Sequence, residues 1–260
     1  MTRSGYYAWR GRAESERRRE DRRLLEQIRE IFEESRRTYG SPRVQRVLEG
    51  RGFRVSRRRV ERLMRAGGLR GRVARIYKAN SGLHRFYGQH PNRLWTKPAR
   101  SCNRIWVGDV TYLRVGGRWR FLAVVIDQYS RRVLGWSLAA VRGTPLTRLA
   151  FDRAVRKRSP NPGLIFHSDR GSEYAGAHFR DRLRALGVRQ STTRGGTPGD
   201  NAHAESFFHS LKADLIHGTR FDDDHELRRS LRSYVHYYNH NRLHSALGYR
   251  SPVAYERQAA

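Results

Sequence analysis

Apolar residues recur every third or fourth position early in the chain and every second position in its middle, so helices precede a region of strands. Over 14–37, Leu24, Leu25, Ile28 and Phe32 fall on one helical face, and the charges between them can pair four residues apart. Tyr39-Gly40-Ser41-Pro42 ends this helix and starts a second over 42–51, with Ser41 as N-cap and Pro42 in the first turn. Val44, Val47 and Leu48 form its inner face, and Gly52 stops it. Ser56 then caps a third helix whose apolar face is Val60, Leu63 and Met64.

The period changes at residue 105. Three antiparallel strands over 105–139, one turn made by Gly116-Gly117, are followed by a helix at 144–158 and a strand at 164–167. A helix at 173–186, a short strand at 188–191 and a Gly/Pro loop at 194–200 lead to a helix carrying Glu205. Residues 67–104 show poor periodicity and contain Gly67-Gly68, Gly71, Pro91 and Pro98, which predicts a linker. The expected organisation is a basic helical module at 1–66, the linker at 67–104, an α/β core at 105–215 and a helical C-terminal extension at 216–260.

Charge narrows the class of partner. Lys and Arg number 54 against 24 Asp and Glu, a net charge of +30. Over residues 1–104 the count is 29 against 10, so basic density is highest ahead of the α/β region. Nucleic acid is the matching polyanion, because each phosphate neutralised by Arg or Lys releases condensed counterions. Arg57, Arg58, Arg59 and Arg62 open the third helix. They fit either a helix-turn-helix whose recognition helix enters the major groove or a basic bundle that touches only backbone phosphates. A single cysteine, Cys102, allows no internal disulfide, and no run approaches membrane-spanning length or a signal-peptide core. The expectation is a cytoplasmic protein without a membrane partner.

Three carboxylates carry the candidate chemistry. Asp109 lies within an apolar strand, Asp169 ends the run Leu164-Ile165-Phe166, and Glu205 follows thirty-five residues later in a helical segment. A buried charge without a partner is costly, and a hard divalent cation such as Mg²⁺ is the partner that carboxylates share. Other residues have ordinary readings. Asp127 caps a turn between two strands through Ser130 or Arg131, and Asp200 caps the Glu205 helix. Thr111 either lines the site or packs, and His167 either donates to Asp169 or fills the core. Lys212 shares a helical face with Glu205 and either meets a DNA phosphate or is a solvated surface lysine. His84, His90 and Cys102 cannot complete a zinc set with one cysteine. His236, His240 and His244 recur every four residues, but the helix is expected to end before His244 and leave a polar surface near DNA.

Together, the segments HSDRGSEY, GDNAHAESFFHSLK and the C-terminal Tyr238-Asn239 through Arg242-Leu243-His244-Ser245 to Pro252 resemble bacterial transposases of the "insertion sequence three" family. Asp109, Asp169 and Glu205 match the acidic signature of the retroviral integrase superfamily to which those transposases belong. The resemblance implies a ribonuclease H-like integrase core, a mixed five-stranded sheet with helices, preceded by the all-α helix-turn-helix-like module. It implies metal-dependent DNA cleavage and strand transfer at element ends by two Mg²⁺ ions, with Mn²⁺ as a substitute. Asp109 would bridge both ions, while Asp169 and Glu205 would each complete one. Arg57, Arg58, Arg59, Arg62 and Lys212 would contact DNA. The implied partners are element ends, a target duplex, further copies of the chain and a protein from an upstream reading frame. A nuclease that only hydrolyses and a non-catalytic DNA-binding regulator stay open as rivals. Two positions depart from the family pattern: Glu173 stands where Gln is expected and Asp214 where Glu is expected.

Overall fold

The structure is a computed structural model and describes residues 2–4, 7, 15–72, 99–193 and 201–259. Most of the expected linker, with His84 and His90, lies outside these residues, as do Asp200 and the rest of the loop at 194–200. The chain forms two compact units, Met1–Val73 and Ala74–Ala260. Among the described residues no helix is long and apolar enough to cross a membrane.

Among the described residues, the first unit packs the helices α1 (Glu16–Glu34), α2 (Ser41–Gly50) and α3 (Arg57–Ala66). Leu24, Ile28, Ile31 and Phe32 of α1 are buried with Val44 and Leu48 of α2 and Val60, Leu63 and Met64 of α3. Most of these are the apolar positions expected from helical spacing; Leu25 and Val47, expected on the same faces, are only partly buried, and Ile31 joins the core instead. The Ser56 hydroxyl accepts the Arg59 N–H at 3.3 Å and caps α3 as expected. The cap of α2 differs from expectation. Gly40 holds the extended N-cap position, and Ser41 is already inside the helix with Pro42 in its first turn. Gly52, at φ 87°, makes the left-handed turn that releases the chain from α2.

In the second unit, five strands stand in the order β3-β2-β1-β4-β5: β1 (Ile105–Val115), β2 (Arg118–Asp127), β3 (Val133–Ala139), β4 (Ile165–Ser168) and β5 (Arg189–Thr192). The first three form an antiparallel meander, and β4 and β5 add parallel to β1. Helix α4 (Thr144–Arg158) makes the crossover from β3 to β4. The expected helix at 173–186 is two pieces, α5 (Ser172–Ala175) and α6 (Ala177–Ala185). Gly176, whose ψ of 139° is extended, breaks it, and glycine stands there because a side chain would come within 2.3 Å of the Thr144 hydroxyl oxygen. Beyond β5 come α7 (Ala202–Leu211), a π-helical turn (Lys212–Ile216), α8 (Asp224–His240) and α9 (Pro252–Ala259).

Strand alternation gives the sheet two apolar faces. Trp106, Ala123 and Val125 pack with Leu146, Ala150, Phe151, Phe166 and Phe179 on the α4–α6 side. Val107, Leu122 and Val124 pack with Phe207, Phe208, Leu211, Leu227, Leu231 and Tyr234 on the α7–α8 side. The C-terminal helices therefore cover a sheet face. Asn239 of α8 reinforces this by accepting the Val133 N–H and donating to the Val133 carbonyl, each at 2.9 Å. Asp127, fully buried, accepts the N–H groups of Asn103, Tyr129 and Ser130, so it is the turn cap expected from the sequence.

Glu256 of α9 ties the C-terminus to the sheet through Arg132, Arg158 and the Ser130 hydroxyl, all mostly buried. Glu256→Ala strands two cations in that environment and is expected to cost about 3 kcal/mol, read as a lower unfolding midpoint. Burial pulls the Glu256 carboxyl up, but the Arg132 and Ser130 hydrogen bonds and the arginine charges hold it below its ordinary value of 4.5. Its contribution is therefore present above that value and lost as pH falls through the lower folded value. The acid-induced loss of stability should be shallower in Glu256→Ala than in the wild type.

Candidate active site

Register brings two of the three carboxylates together. β1 and β4 run parallel from Ile105↔Ile165 to Gly108↔Ser168, so Asp109 and Asp169 come one residue later on neighbouring strands. Alternation places both on the α7 side, in line with Val107 and His167. Gly108 is required by the packing behind them, since a side chain there would meet the Phe166 ring at 2.4 Å and the Tyr174 hydroxyl at 3.2 Å. Asn201, 3% exposed, anchors the start of α7 by donating to the Gly108 carbonyl at 3.4 Å. Glu205 is four residues on, hence on the same helical face as Asn201. Ala204, Phe207, Phe208 and Leu211 bury the adjoining stripe of α7 and fix its rotation.

The site is electrostatically crowded. Burial pushes the Asp109 carboxyl well above its ordinary range, Asp169 adds to the effect, and Glu205 and Glu173 contribute less. A hydrogen bond from the Val110 N–H at 2.8 Å opposes the rise. Burial also raises Asp169, with Glu173 adding to it, against the Gly171 N–H at 3.1 Å and the Arg142 charge. Glu205 lies on the exposed side of α7, and partial burial alone raises its carboxyl. Among the described residues no three His, Cys, Asp or Glu side chains close on one point as ready metal ligands. Asp109 and Asp169 make the close pair, and Glu205 stands further out. The donor set still suits a hard cation, because it offers only carboxylate oxygens and Arg142 and Lys212 offset the charge of the pair only in part.

The other expected residues fall as follows. Thr111 is buried on the Asp109 face of β1. His167 is in the core, its Nδ1 2.9 Å from the Ser191 hydroxyl oxygen across the β4–β5 pair. Lys212 begins the π-helical turn just past α7, half-buried, with its ammonium 5.3 Å from the centroid of the Tyr112 ring. Burial lowers its pKa and the Asp109 charge opposes that change, so it lies within electrostatic reach of the carboxylates. Arg57 and Arg58 are exposed on the first turn of α3. Arg59 and Arg62 instead bind Asp21 of α1 at 2.8 and 2.6 Å, and Arg59 also reaches Glu20 at 3.0 Å. His236 and His240 stack at 4.4 Å at the end of α8, whereas His244 is beyond the helix with its ring against Tyr238. The three histidines therefore share no helical face.

Sequence reasoning gave no role to Glu173, Arg142 or Asn201. Glu173 is 1% exposed on α5, and its Oε1 accepts from Arg142 at 2.7 and 3.0 Å. The only signal for it was its departure from the expected Gln. Asp214, the other departure, accepts from Arg242 at 2.7 Å and from the Tyr234 hydroxyl at 3.1 Å in the packing of α8.

Comparison with known proteins agrees in extent with these two units. Integrase core domain family models match residues 99–198 and 186–252, and an HTH-like domain model matches 18–77. The Transposase for insertion sequence element IS904 of Lactococcus lactis subsp. lactis (strain IL1403) is 35% identical over 236 residues, covering 90% of this chain and 93% of that protein. The Transposase InsF for insertion sequence IS3A of Escherichia coli (strain K12) is 33% identical over 264 residues, 99% of this chain and 91% of that one. A chain of the simian T-cell lymphotropic virus intasome, solved in complex with PP2A regulatory subunit B56 gamma, shares the fold. Its TM-score is 0.51 at 14% identity, covering 78% of this chain and 67% of that chain.

The crowding has a measurable consequence. Asp109→Asn removes one of two adjacent like charges while keeping the side chain's shape, so it should stabilise the metal-free protein by about 1 kcal/mol, a rise of ~2–4 °C in midpoint. Thermal unfolding in EDTA at neutral pH checks this, and an unchanged or lower midpoint would show that the two carboxylates do not oppose each other.

Proposed function

We infer the chemistry of this chain from its membership: it belongs to the IS3 family of insertion-sequence transposases, enzymes with an integrase core domain that serve DNA transposition. The proposed reaction is cleavage of DNA at the ends of the element, then joining of the freed 3′ ends to another duplex. The observation that carries it is the placement of Asp109 and Asp169 side by side on parallel strands, with Glu205 on a helix anchored to the same strand by Asn201.

Asp109, Asp169 and Glu205 would hold the divalent cations, with Asp109 shared between the two ions. When bound, Mg²⁺ or Mn²⁺ would supply Lewis acidity there, for activation of a water or 3′-hydroxyl and for charge on the leaving oxygen. The chain's own contribution is fixed geometry. The Val110 and Gly171 N–H groups orient the two strand carboxylates, and Asn201 fixes the entry of α7. Lys212 adds a cation beside Asp109, where the phosphate next to the reacting bond would pass. The functional segments are proposed as the DNA-binding module at 1–66, the linker at 67–104, the catalytic core at 105–215 and the extension at 216–260. The enzyme would act in the bacterial cytoplasm as an oligomer on element ends and target DNA. A protein from an upstream frame is a further candidate partner.

Purified protein with labelled element ends and Mg²⁺ tests this directly. Asp109→Asn, Asp169→Asn and Glu205→Gln should each bring cleavage and joining below detection while leaving DNA binding within about twofold. Full activity in any variant would remove that residue from the site. Cleavage without joined products would favour a hydrolytic nuclease, and no metal-dependent nicking at all would favour a DNA-binding regulator.

The helical unit gives a second test, because its arginines divide by structure. Arg57→Ala and Arg58→Ala should weaken end binding and lower the salt slope by about one unit for each phosphate left without its arginine. Arg59→Ala and Arg62→Ala should act through the loss of Asp21 as an ion-pair partner, and so lower the unit's thermal stability as well. Equal slopes in wild type and the Arg57 and Arg58 variants would move DNA recognition off the start of α3.

A further inference from the structure

We propose that Glu173 is a fourth acidic member of this site, a positioning residue whose charge strengthens cation binding by Asp109 and Asp169. The proposal rests on the metal-dependent reading above. Glu173 follows Asp169 by four residues and is turned inward by the single turn of α5. Its backbone carbonyl accepts the Thr144 and Thr147 hydroxyls at 3.3 and 3.1 Å, so α4 fixes its position. Its carboxylate lies directly over Gly171. A side chain at that glycine would come within 2.6 Å of one Glu173 oxygen and 2.8 Å of the other. The same glycine's N–H holds Asp169, so one residue separates the two carboxylates in space.

The hydrogen bonding of Glu173 is incomplete. Arg142 donates twice to Oε1, and Oε2 is buried with no hydrogen-bond partner among the described residues. An unsatisfied buried carboxylate oxygen costs stability, and a purely structural partner for Arg142 would not need the charge. Arg142 is also half-exposed, so water screens part of its compensation. The uncompensated part of the charge falls toward Asp169, whose carboxylate is held by the N–H of the same Gly171 that the Glu173 carboxylate overlies. A divalent ion between Asp109 and Asp169 reverses the sign of the interaction: what is repulsion without the ion becomes attraction to it. Glutamine would keep the shape and one oxygen for Arg142 but remove this attraction.

The experiment is a Mn²⁺ titration of the full chain without DNA, followed by electron paramagnetic resonance, for wild type, Glu173→Gln and Asp169→Asn. Thermal unfolding in EDTA accompanies it to show that Glu173→Gln folds. Glu173→Gln should unfold no lower than wild type and bind Mn²⁺ on the order of tenfold more weakly, the effect of one partly compensated charge close to a divalent ion. Equal Mn²⁺ affinity in wild type and Glu173→Gln would overturn the proposal and leave Glu173 as a partner of Arg142 alone. If wild type shows no Mn²⁺ binding that Asp169→Asn removes, the metal-dependent reading fails instead, and this proposal with it.

Discussion

The parallel pairing of β1 with β4 carries the candidate active site. Its four residue pairs, Ile105↔Ile165 to Gly108↔Ser168, set Asp109 beside Asp169 and turn both toward α7. A slip of one residue would send either aspartate to the opposite face, among the aromatic rings of Phe151, Phe166 and Phe179. Register is held from both faces of β1, by Trp106 on the α4–α6 side and Val107 on the α7–α8 side, each fully buried. Gly108 allows the Phe166 ring and Tyr174 hydroxyl to close up behind the site.

Packing thus forces together groups that repel each other. In an ordinary core, two carboxylates with raised pKa values would be replaced or paired with a base. Here the bases take other partners: Arg142 binds Glu173, and the ammonium of Lys212 rests on Tyr112. The protein accepts lower stability at this point, and the cores on both sheet faces together with the C-terminal clamp of Glu256 on Arg132 and Arg158 offset it. A cation of the right charge would convert the same geometry from repulsion to attraction.

Much of this was legible in the sequence, wherever the information is local. Helical spacing gave most of the buried faces of α1, α2 and α3, missing Ile31 and overcounting Leu25 and Val47; alternation gave the meander, and the three carboxylates stood out as acids against apolar runs in a basic chain. What failed depended on residues distant in sequence. The need for glycine at 176 comes from Thr144, and the ion pairs of Arg59 and Arg62 come from Asp21, roughly forty residues away. Glu173 reads as one more surface acid until Thr144 and Thr147 are seen to hold it inside. The α2 cap lies at Gly40 rather than Ser41, although a proline favours N1 and disfavours helical backbone in the residue before it, which points to Ser41 as the cap.

The central claim is that Asp109, Asp169 and Glu205 become a two-ion site once cations are supplied. A crystal structure of the wild-type protein grown with Mn²⁺, with data collected at the manganese absorption edge, measures this without reference to turnover. The account predicts two anomalous peaks, one bound by Asp109 and Asp169 and the other by Asp109 and Glu205, with Glu205 drawn in toward the strand aspartates. Manganese bound elsewhere, or full occupancy of the metal with Glu205 still apart from it, would contradict the account.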